Sequence, residues 1–265
     1  MAIDRNAPCP CRSGLKYKKC CLLHPDRVEF SGMIGADYVD RDYVLKDLAA
    51  RSDTMAQFRS ALPDWLVNML WVYYKPTLDA NMRSLSGFGH CSIVVKQLPI
   101  PEDDFFDFAH EIGHAIMVLK GYPCCEIISG DQGLTGLGTV LTNTIMDPLV
   151  NKLVMRCQFD IQAYMEKGFR IQLPMIEKHP HDHLWDQHFL RCLCIEKILE
   201  WRLLAIPFEN RFLPAFQKYH PKEYGFANSY ADSLDMKQVS DPAYVRTVLT
   251  QLILDNHMEA IIRLV

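Results

Sequence analysis

The sequence predicts an α+β protein that is mostly helical, with a short antiparallel sheet and a small metal-binding hook at the N-terminus. Helix-forming segments account for most of the chain, including nearly everything after residue 139. The segment 91–95 is the best strand candidate, because it is β-branched and bounded by turn residues. Clustered cysteines mark the N-terminus. We therefore expect a hook over residues 1–26, a linker over 27–40 and a mainly helical domain over 41–265.

Composition limits the possible partners. With 265 residues, of which 49% are hydrophobic, the chain can bury a substantial core. The net charge of −4 argues against nucleic acid as a partner. The apolar runs are shorter than the ~20 residues that cross a bilayer, so no membrane partner is expected. The N-terminus also lacks the apolar core of a signal peptide, which favours a cytoplasmic protein.

The hook is predicted from four cysteines arranged as two pairs: Cys9, Cys11, Cys20 and Cys21. Ser13-Gly14 supplies a turn between the pairs, so the chain can fold back and bring the four thiolates together. Four thiolates suit a closed tetrahedral zinc site. Binding of zinc would replace the hydrophobic core that such a short segment cannot form.

The pattern C-P-C-x-S-G-x-K-Y-K-x-C-C resembles the SEC-C zinc motif. Within that family the motif is an accessory module that is appended to unrelated enzymes and associated with partner binding. The resemblance therefore implies a structural zinc held by the four cysteines. The lysines of the loop suggest that the hook contacts a protein or ribosome partner, although they are equally compatible with a solvated surface.

Between the hook and the C-terminal helices the elements are predicted in order. Two helices are expected over 41–62 and 63–74, then the strand at 91–95, a helix over 101–119 that ends near Gly121, and a strand near 126–128. A glycine-rich loop follows. The remaining helices are expected to be separated near Gly168, at 174–180, near Pro207 and at His220-Pro221.

The helix over 101–119 carries the sequence His110-Glu111-Ile112-Gly113-His114. Histidines four residues apart project from the same helix face, so their ring nitrogens can converge on one metal ion. The glutamate between them lies beside the metal, where its carboxylate can take a proton from a water molecule. With Asp107, these polar residues form one stripe on an otherwise apolar helix, which favours a metal site over a core helix with hydrogen-bonded histidines.

This H-E-x-x-H segment resembles the zincin metallopeptidases. The resemblance implies a zincin-like catalytic domain with a tetrahedral zinc, three protein ligands including His110 and His114, and Glu111 as the catalytic general base. In zincins an antiparallel edge strand beside the motif helix binds extended substrate, and the segment 91–95 is the candidate for that strand.

Asp147 is the predicted third ligand, because it is an acid within an apolar helical stretch and is followed by Pro148, which would kink the helix. Asn143 lies one turn earlier on the same face, where it could support Asp147 or act as a ligand itself. Glutamate zincins carry a glutamate at this position, so the match to that family is incomplete. The other candidates are late histidines and glutamates: His179, His181, His183, His188, Glu166, Glu196 and Glu200.

The leading interpretation is an intracellular zinc-dependent peptidase with two zinc ions, one catalytic and one structural. Its substrate is expected to be a protein or peptide, recruited in part through the hook. The alternative is a non-catalytic, zincin-like adaptor with structural zinc. A weaker alternative is a metal hydrolase that cleaves a non-peptide bond, because the motif indicates water activation rather than a substrate.

Overall fold

A computed structural model describes residues 3–85, 90–128, 135–178 and 184–265. The chain is mostly helical with a small mixed sheet, and it divides into two compact units. The first unit comprises residues 1–116 and 157–159, and the second comprises residues 117–156 and 160–265. No helix within the described ranges is both long and apolar enough to cross a membrane.

The helices of the first unit are short. They are α1 (Pro25–Ile34), α2 (Arg41–Arg51), α3 (Asp53–Ala61), α4 (Asp64–Met69) and the larger part of α5 (Phe105–Leu119). The single helix expected over 41–62 is divided at Ser52, whose hydroxyl accepts a hydrogen bond from the Met55 amide at 3.3 Å. This side-chain cap satisfies an amide at the start of α3 and explains the break.

The first unit also contains a four-stranded sheet. Its strands are β1 (Asp37–Val39), β2 (Leu70–Tyr74), β3 (Met82–Leu85) and β4 (Cys91–Val95), in the order β1-β2-β4-β3. β2 and β4 are parallel, whereas β1 pairs with β2 and β3 pairs with β4 in antiparallel fashion. The sheet is therefore mixed, and the expectation of an antiparallel sheet was wrong.

The segment 91–95 is a strand, as predicted, but it is not the edge strand that the sequence analysis expected. All five of its residues are buried, and it lies between β2 and β3. The edge position next to it belongs to β3. A mainly apolar segment is typical of an interior strand, which is buried on both faces.

Two further segments differ from the sequence-based expectation. The expected linker over 27–40 contains most of α1 and all of β1, and β1 pairs with β2. The helix expected over 63–74 ends at Met69 and continues as β2. Leu70–Tyr74 is rich in aromatic and β-branched residues, which fit a pleated and largely buried surface better than a helix.

The hook packs against this sheet instead of standing apart from it. Its four cysteines belong to one buried cluster with residues of α1, β1, β2, β4 and the segments that adjoin these elements: Phe30, Ala36, Tyr38, Tyr73, Leu78 and Val94. The amide of Asp40 also donates a 2.7 Å hydrogen bond to the carbonyl of Cys11. The cysteine cluster and the sheet therefore share a core.

The second unit is helical with one small sheet. It contains α6 (Thr135–Val154), α7 (Ile161–Lys178), α8 (Leu184–Leu204), α9 (Phe212–Tyr219), α10 (Pro221–Ser233) and α11 (Pro242–Asp255). Strand β5 (Cys125–Ile127) pairs antiparallel with β6 (Ile262–Leu264), which confirms the strand expected near 126–128. Neither Gly168 nor Pro174 interrupts α7, because tertiary packing can outweigh helix propensity.

Candidate metal-binding sites

A tight loop brings the four hook cysteines together. The Cys9 amide donates to the Leu15 carbonyl at 2.8 Å, and the Tyr17 amide donates to the Ala7 carbonyl at 2.9 Å. The loop closes through Gly14, whose φ of +75° is in the left-handed region that glycine adopts without strain. The Ser13-Gly14 turn predicted from the sequence therefore places the first cysteine pair against the second.

The geometry of the sulfur atoms suits a metal ion. The Cys11 Sγ lies 3.3 Å from the Cys9 Sγ and 3.4 Å from the Cys20 Sγ. All four sulfurs lie within 4.8 Å of one another, and all four residues are buried. Ligands about 2.3 Å from a tetrahedral zinc are separated by about 3.8 Å, so the cluster can close around one ion with small adjustments.

The electrostatics of the cluster also favour a cation. Hydrogen bonding with Cys21 lowers the pKa of the Cys11 thiol to about 4. Burial raises the pKa of Cys20 to about 11, and the interaction with Cys11 raises the pKa of Cys21 strongly. The Cys11 thiol therefore loses its proton easily, but its negative charge disfavours ionisation of the neighbouring thiols. A bound metal cation would offset this repulsion between thiolates.

A second group of ligand atoms lies on α5. The Nε2 atoms of His110 and His114 are 2.9 Å apart, with ring centroids separated by 4.6 Å and ring planes inclined at 80°. Both residues are only partly buried. Two imidazole nitrogens that converge in this way from one helix face can act as ligands of one metal ion.

The glutamate between the histidines contacts the sheet. Glu111 Oε2 accepts a 2.7 Å hydrogen bond from the backbone amide of Ser84 in β3. Burial raises the pKa of the Cys91 thiol in β4 to about 12, and the nearby Glu111 carboxylate adds to this increase. The sequence analysis missed Ser84, because its contribution is a backbone amide far from the motif and no side-chain pattern indicates it.

Asp147 lies on α6 in the second unit, immediately before Pro148, which the helix accommodates without ending. Asn143 is on the same helix. Burial raises the pKa of Glu196 on α8 to about 7; the Lys197 charge opposes this increase and the Asp147 carboxylate adds to it. Coordination of one metal ion by His110, His114 and Asp147 remains a prediction from the sequence.

Most of the alternative ligands in the described part of the chain have other partners. The Lys197 Nζ lies 2.6 Å from Glu196 Oε1 and 3.2 Å from Glu200 Oε2. Glu200 Oε1 also accepts hydrogen bonds from Asn151 at 2.6 Å and from Tyr164 at 3.2 Å. These residues form a buried ion network in which a lysine provides the positive charge.

The other alternative ligands that the structure describes are His188 and Glu166, and both also have partners. His188 Nδ1 is 2.9 Å from Asn256 Oδ1 in a buried position, and Glu166 pairs with Arg211 at 3.4 Å on the surface. Three further candidates, namely His179, His181 and His183, lie outside the described residues.

Comparison with known proteins supports the hook only. The SEC-C motif model matches residues 5–23. A UPF0225 protein from Sodalis glossinidius (strain morsitans) is 94% identical over 17 residues, which cover 6% of this chain and 11% of that protein. No solved structure matches the chain. The chain thus contains a SEC-C motif whose four cysteines can bind a metal, and its remaining residues are assigned to no family by these matches.

Proposed function

We propose that this protein is a zinc-dependent peptidase in which His110, His114 and Asp147 hold a catalytic zinc ion. The observation that carries the proposal is the convergence of the two Nε2 atoms, 2.9 Å apart on one face of α5, with Glu111 between the two histidines in the sequence. Such a donor pair supported by an adjacent carboxylate suits hydrolysis, since a bound zinc supplies Lewis acidity.

Glu111 serves as the general base in this proposal. The Ser84 amide holds Oε2, which fixes the orientation of the carboxylate relative to β3. The other carboxylate oxygen then accepts the proton of the attacking water and passes it to the leaving amine. Ser84 acts as a positioning residue, because its amide contacts Glu111 and not the reacting atoms.

The substrate in this proposal is a protein or peptide bound in extended form. β3 is at the end of the sheet order and carries the amide that contacts Glu111. An extended peptide can add to such an edge strand through main-chain hydrogen bonds, which would bring its scissile bond beside the carboxylate. We therefore assign substrate binding to β3, in place of the segment 91–95.

The hook is proposed to hold a structural zinc and to recruit a protein or ribosome partner. Its loop exposes three lysines: Lys16, Lys18 and Lys19. It also exposes Leu15, Leu22 and Leu23, of which Leu23 is 64% accessible. Exposed leucines beside basic residues suit a surface that binds an acidic partner with some apolar contact.

Replacement of Glu111 by glutamine tests the peptidase proposal. The substitution keeps the size of the side chain and removes the base, so zinc content and stability should be retained. Cleavage should fall by roughly 10²–10⁴-fold, the usual contribution of a positioned general base. The matched control is Glu29→Gln, which alters an exposed glutamate on α1 of the same unit.

The assay needs no known substrate. Wild-type, Glu111→Gln and Glu29→Gln proteins are expressed in the native host, and new protein N-termini are compared across the proteome. Termini present with the wild type and Glu29→Gln but absent with Glu111→Gln support the proposal and reveal the cleaved sequence. Identical N-termini from all three folded, zinc-loaded proteins contradict it.

A non-catalytic adaptor is the second candidate, and the contact between Glu111 and Ser84 favours it. The Glu111 carboxylate already accepts a 2.7 Å hydrogen bond from a backbone amide, and this contact can have the purely structural role of connecting α5 to the sheet. In that case Glu111→Gln, whose amide oxygen can still accept the hydrogen bond from the Ser84 amide, should leave every N-terminus unchanged. The comparison of N-termini from the same three proteins therefore separates the two candidates.

A further inference from the structure

The second unit contains a cavity of about 430 Å³ that the proposed peptidase site does not use. Its walls come from the end of α5 and the residues after it, from the last turns of α6, and from the start of α11. A volume of this size is within the ~300–1,000 Å³ range of small-molecule sites. The cavity is therefore large enough for a metabolite.

Three basic side chains line this cavity: Lys120, Lys152 and Arg156. Its lining contains no aspartate or glutamate. Across the ranges that the structure describes, none of these three side chains makes an ion pair or a hydrogen bond. The nearby Asp241 carboxylate accepts a hydrogen bond from the Ala243 amide and thereby caps the start of α11. All three basic side chains are exposed to solvent, so the cavity presents positive charge that an anion from solution can neutralise.

Helix ends explain part of this arrangement. Lys120 follows the end of α5, and Lys152 and Arg156 lie at or just beyond the end of α6, where the helix dipole favours cations. This effect accounts for a single basic residue at each helix end. It does not require three of them to surround one cavity.

The lining also contains apolar surface that simple charge neutralisation does not need. Met117 and Leu149 are buried, and the ring of Tyr122 is held by a 2.7 Å hydrogen bond from its hydroxyl to the Ser240 carbonyl. A ligand with both an anionic group and an apolar or aromatic part would contact both kinds of surface.

We propose that this cavity binds a small phosphorylated organic molecule. A phosphate or diphosphate carries the two or more negative charges that three cations can neutralise, whereas a carboxylate carries one. The planar guanidinium of Arg156 also matches the oxygen geometry of a phosphate group. The apolar lining formed by Met117, Leu149 and Tyr122 receives the organic part. The proposal is independent of peptidase activity.

Titration calorimetry on the full-length, zinc-loaded protein tests this inference with three probes: ADP, pyrophosphate and adenosine. ADP should bind most tightly, pyrophosphate more weakly, and adenosine not detectably. The affinity for ADP should also fall as salt is raised from 0.05 to 0.5 M, values chosen to be about threefold below and above physiological ionic strength.

Substitutions of the lining residues test whether ADP binds in this cavity. Lys152→Gln and Arg156→Gln should each weaken ADP binding by about tenfold or more, since one charge-assisted hydrogen bond is lost. Lys222→Gln, which alters an exposed lysine at the start of α10, should bind ADP like the wild type. His110→Ala should also leave the affinity unchanged, because ADP is not expected to act through the zinc of α5.

Three results would overturn the inference. Equal affinities of the wild type and the two cavity variants would show that the cations do not hold the ligand. Loss of ADP binding in His110→Ala would assign the binding to zinc. Equal affinities for pyrophosphate and ADP would show that no organic part is recognised.

Discussion

The cysteine cluster and the histidine pair offer metal ligands in two different ways. The cluster takes all four donors from 13 consecutive residues, Cys9 to Cys21, and buries them against the first-unit sheet. The pair on α5 supplies two partly buried donors, and its predicted third ligand, Asp147, belongs to the second unit. A site built from one short segment can be recognised by its pattern, whereas a site that depends on distant residues cannot be completed from a motif.

The largest expected effect concerns the cysteine cluster. The double substitution Cys20→Ser and Cys21→Ser should remove one zinc ion and destabilise the first unit, because the cysteines share a core with Phe30 and Tyr73. Zinc binding to small cysteine folds contributes about 10–16 kcal/mol, part of which is lost here. Zinc analysis and thermal unfolding provide the measurement.

Cys157→Ser is the matched control, since Cys157 also belongs to the first unit but lies outside the cluster. It should keep the zinc content and the melting temperature of the wild type. If the double variant did the same, the four cysteines would not form a metal site.

The buried ion network of the second unit differs from both groups of metal ligands, because a lysine supplies its positive charge. Lys197→Met removes that charge from between Glu196 and Glu200, and should lower stability by about 3–5 kcal/mol. Zinc content should not change. Lys222→Met is the surface control, and a stability loss below about 1 kcal/mol for Lys197→Met would contradict this description of the network.

Asp147→Ala tests whether Asp147 is the third ligand of the zinc ion proposed at His110 and His114. The variant should lose the zinc bound by the histidines while stability changes by only about 1–2 kcal/mol, since Asp147 is only partly buried. Asn143→Ala, one turn earlier on α6, is the control and should retain the metal. The opposite outcome, with metal lost only in Asn143→Ala, would transfer the third-ligand role to Asn143.

Local features were predicted well from the sequence. The Ser13-Gly14 turn and the two cysteine pairs bring the four sulfurs together, because the hydrogen bonds that close their loop lie within one short segment. The helical spacing of His110 and His114 likewise placed both rings on one face of α5. In each case the geometry of a single element is sufficient.

Features that depend on distant pairing were predicted poorly. The segment 91–95 has the composition of a strand, but its interior position follows from β2 on one side and β3 on the other. The segment 27–40 has no sustained periodicity, and β1 is ordered by its pairing with β2. The Ser84 amide that contacts Glu111 carries no sequence pattern, because it belongs to the backbone.

We propose that the chain holds two chemically different zinc ions. Zinc X-ray absorption, combined with metal counting on the purified protein, tests this proposal. We predict two zinc ions per chain with an average of two sulfur ligands each, because the four cysteine sulfurs are shared over two ions. In a His110→Ala and His114→Ala double variant, one zinc with four sulfur ligands should remain. One all-sulfur zinc in both the wild type and the double variant would show that the histidines of α5 bind no zinc.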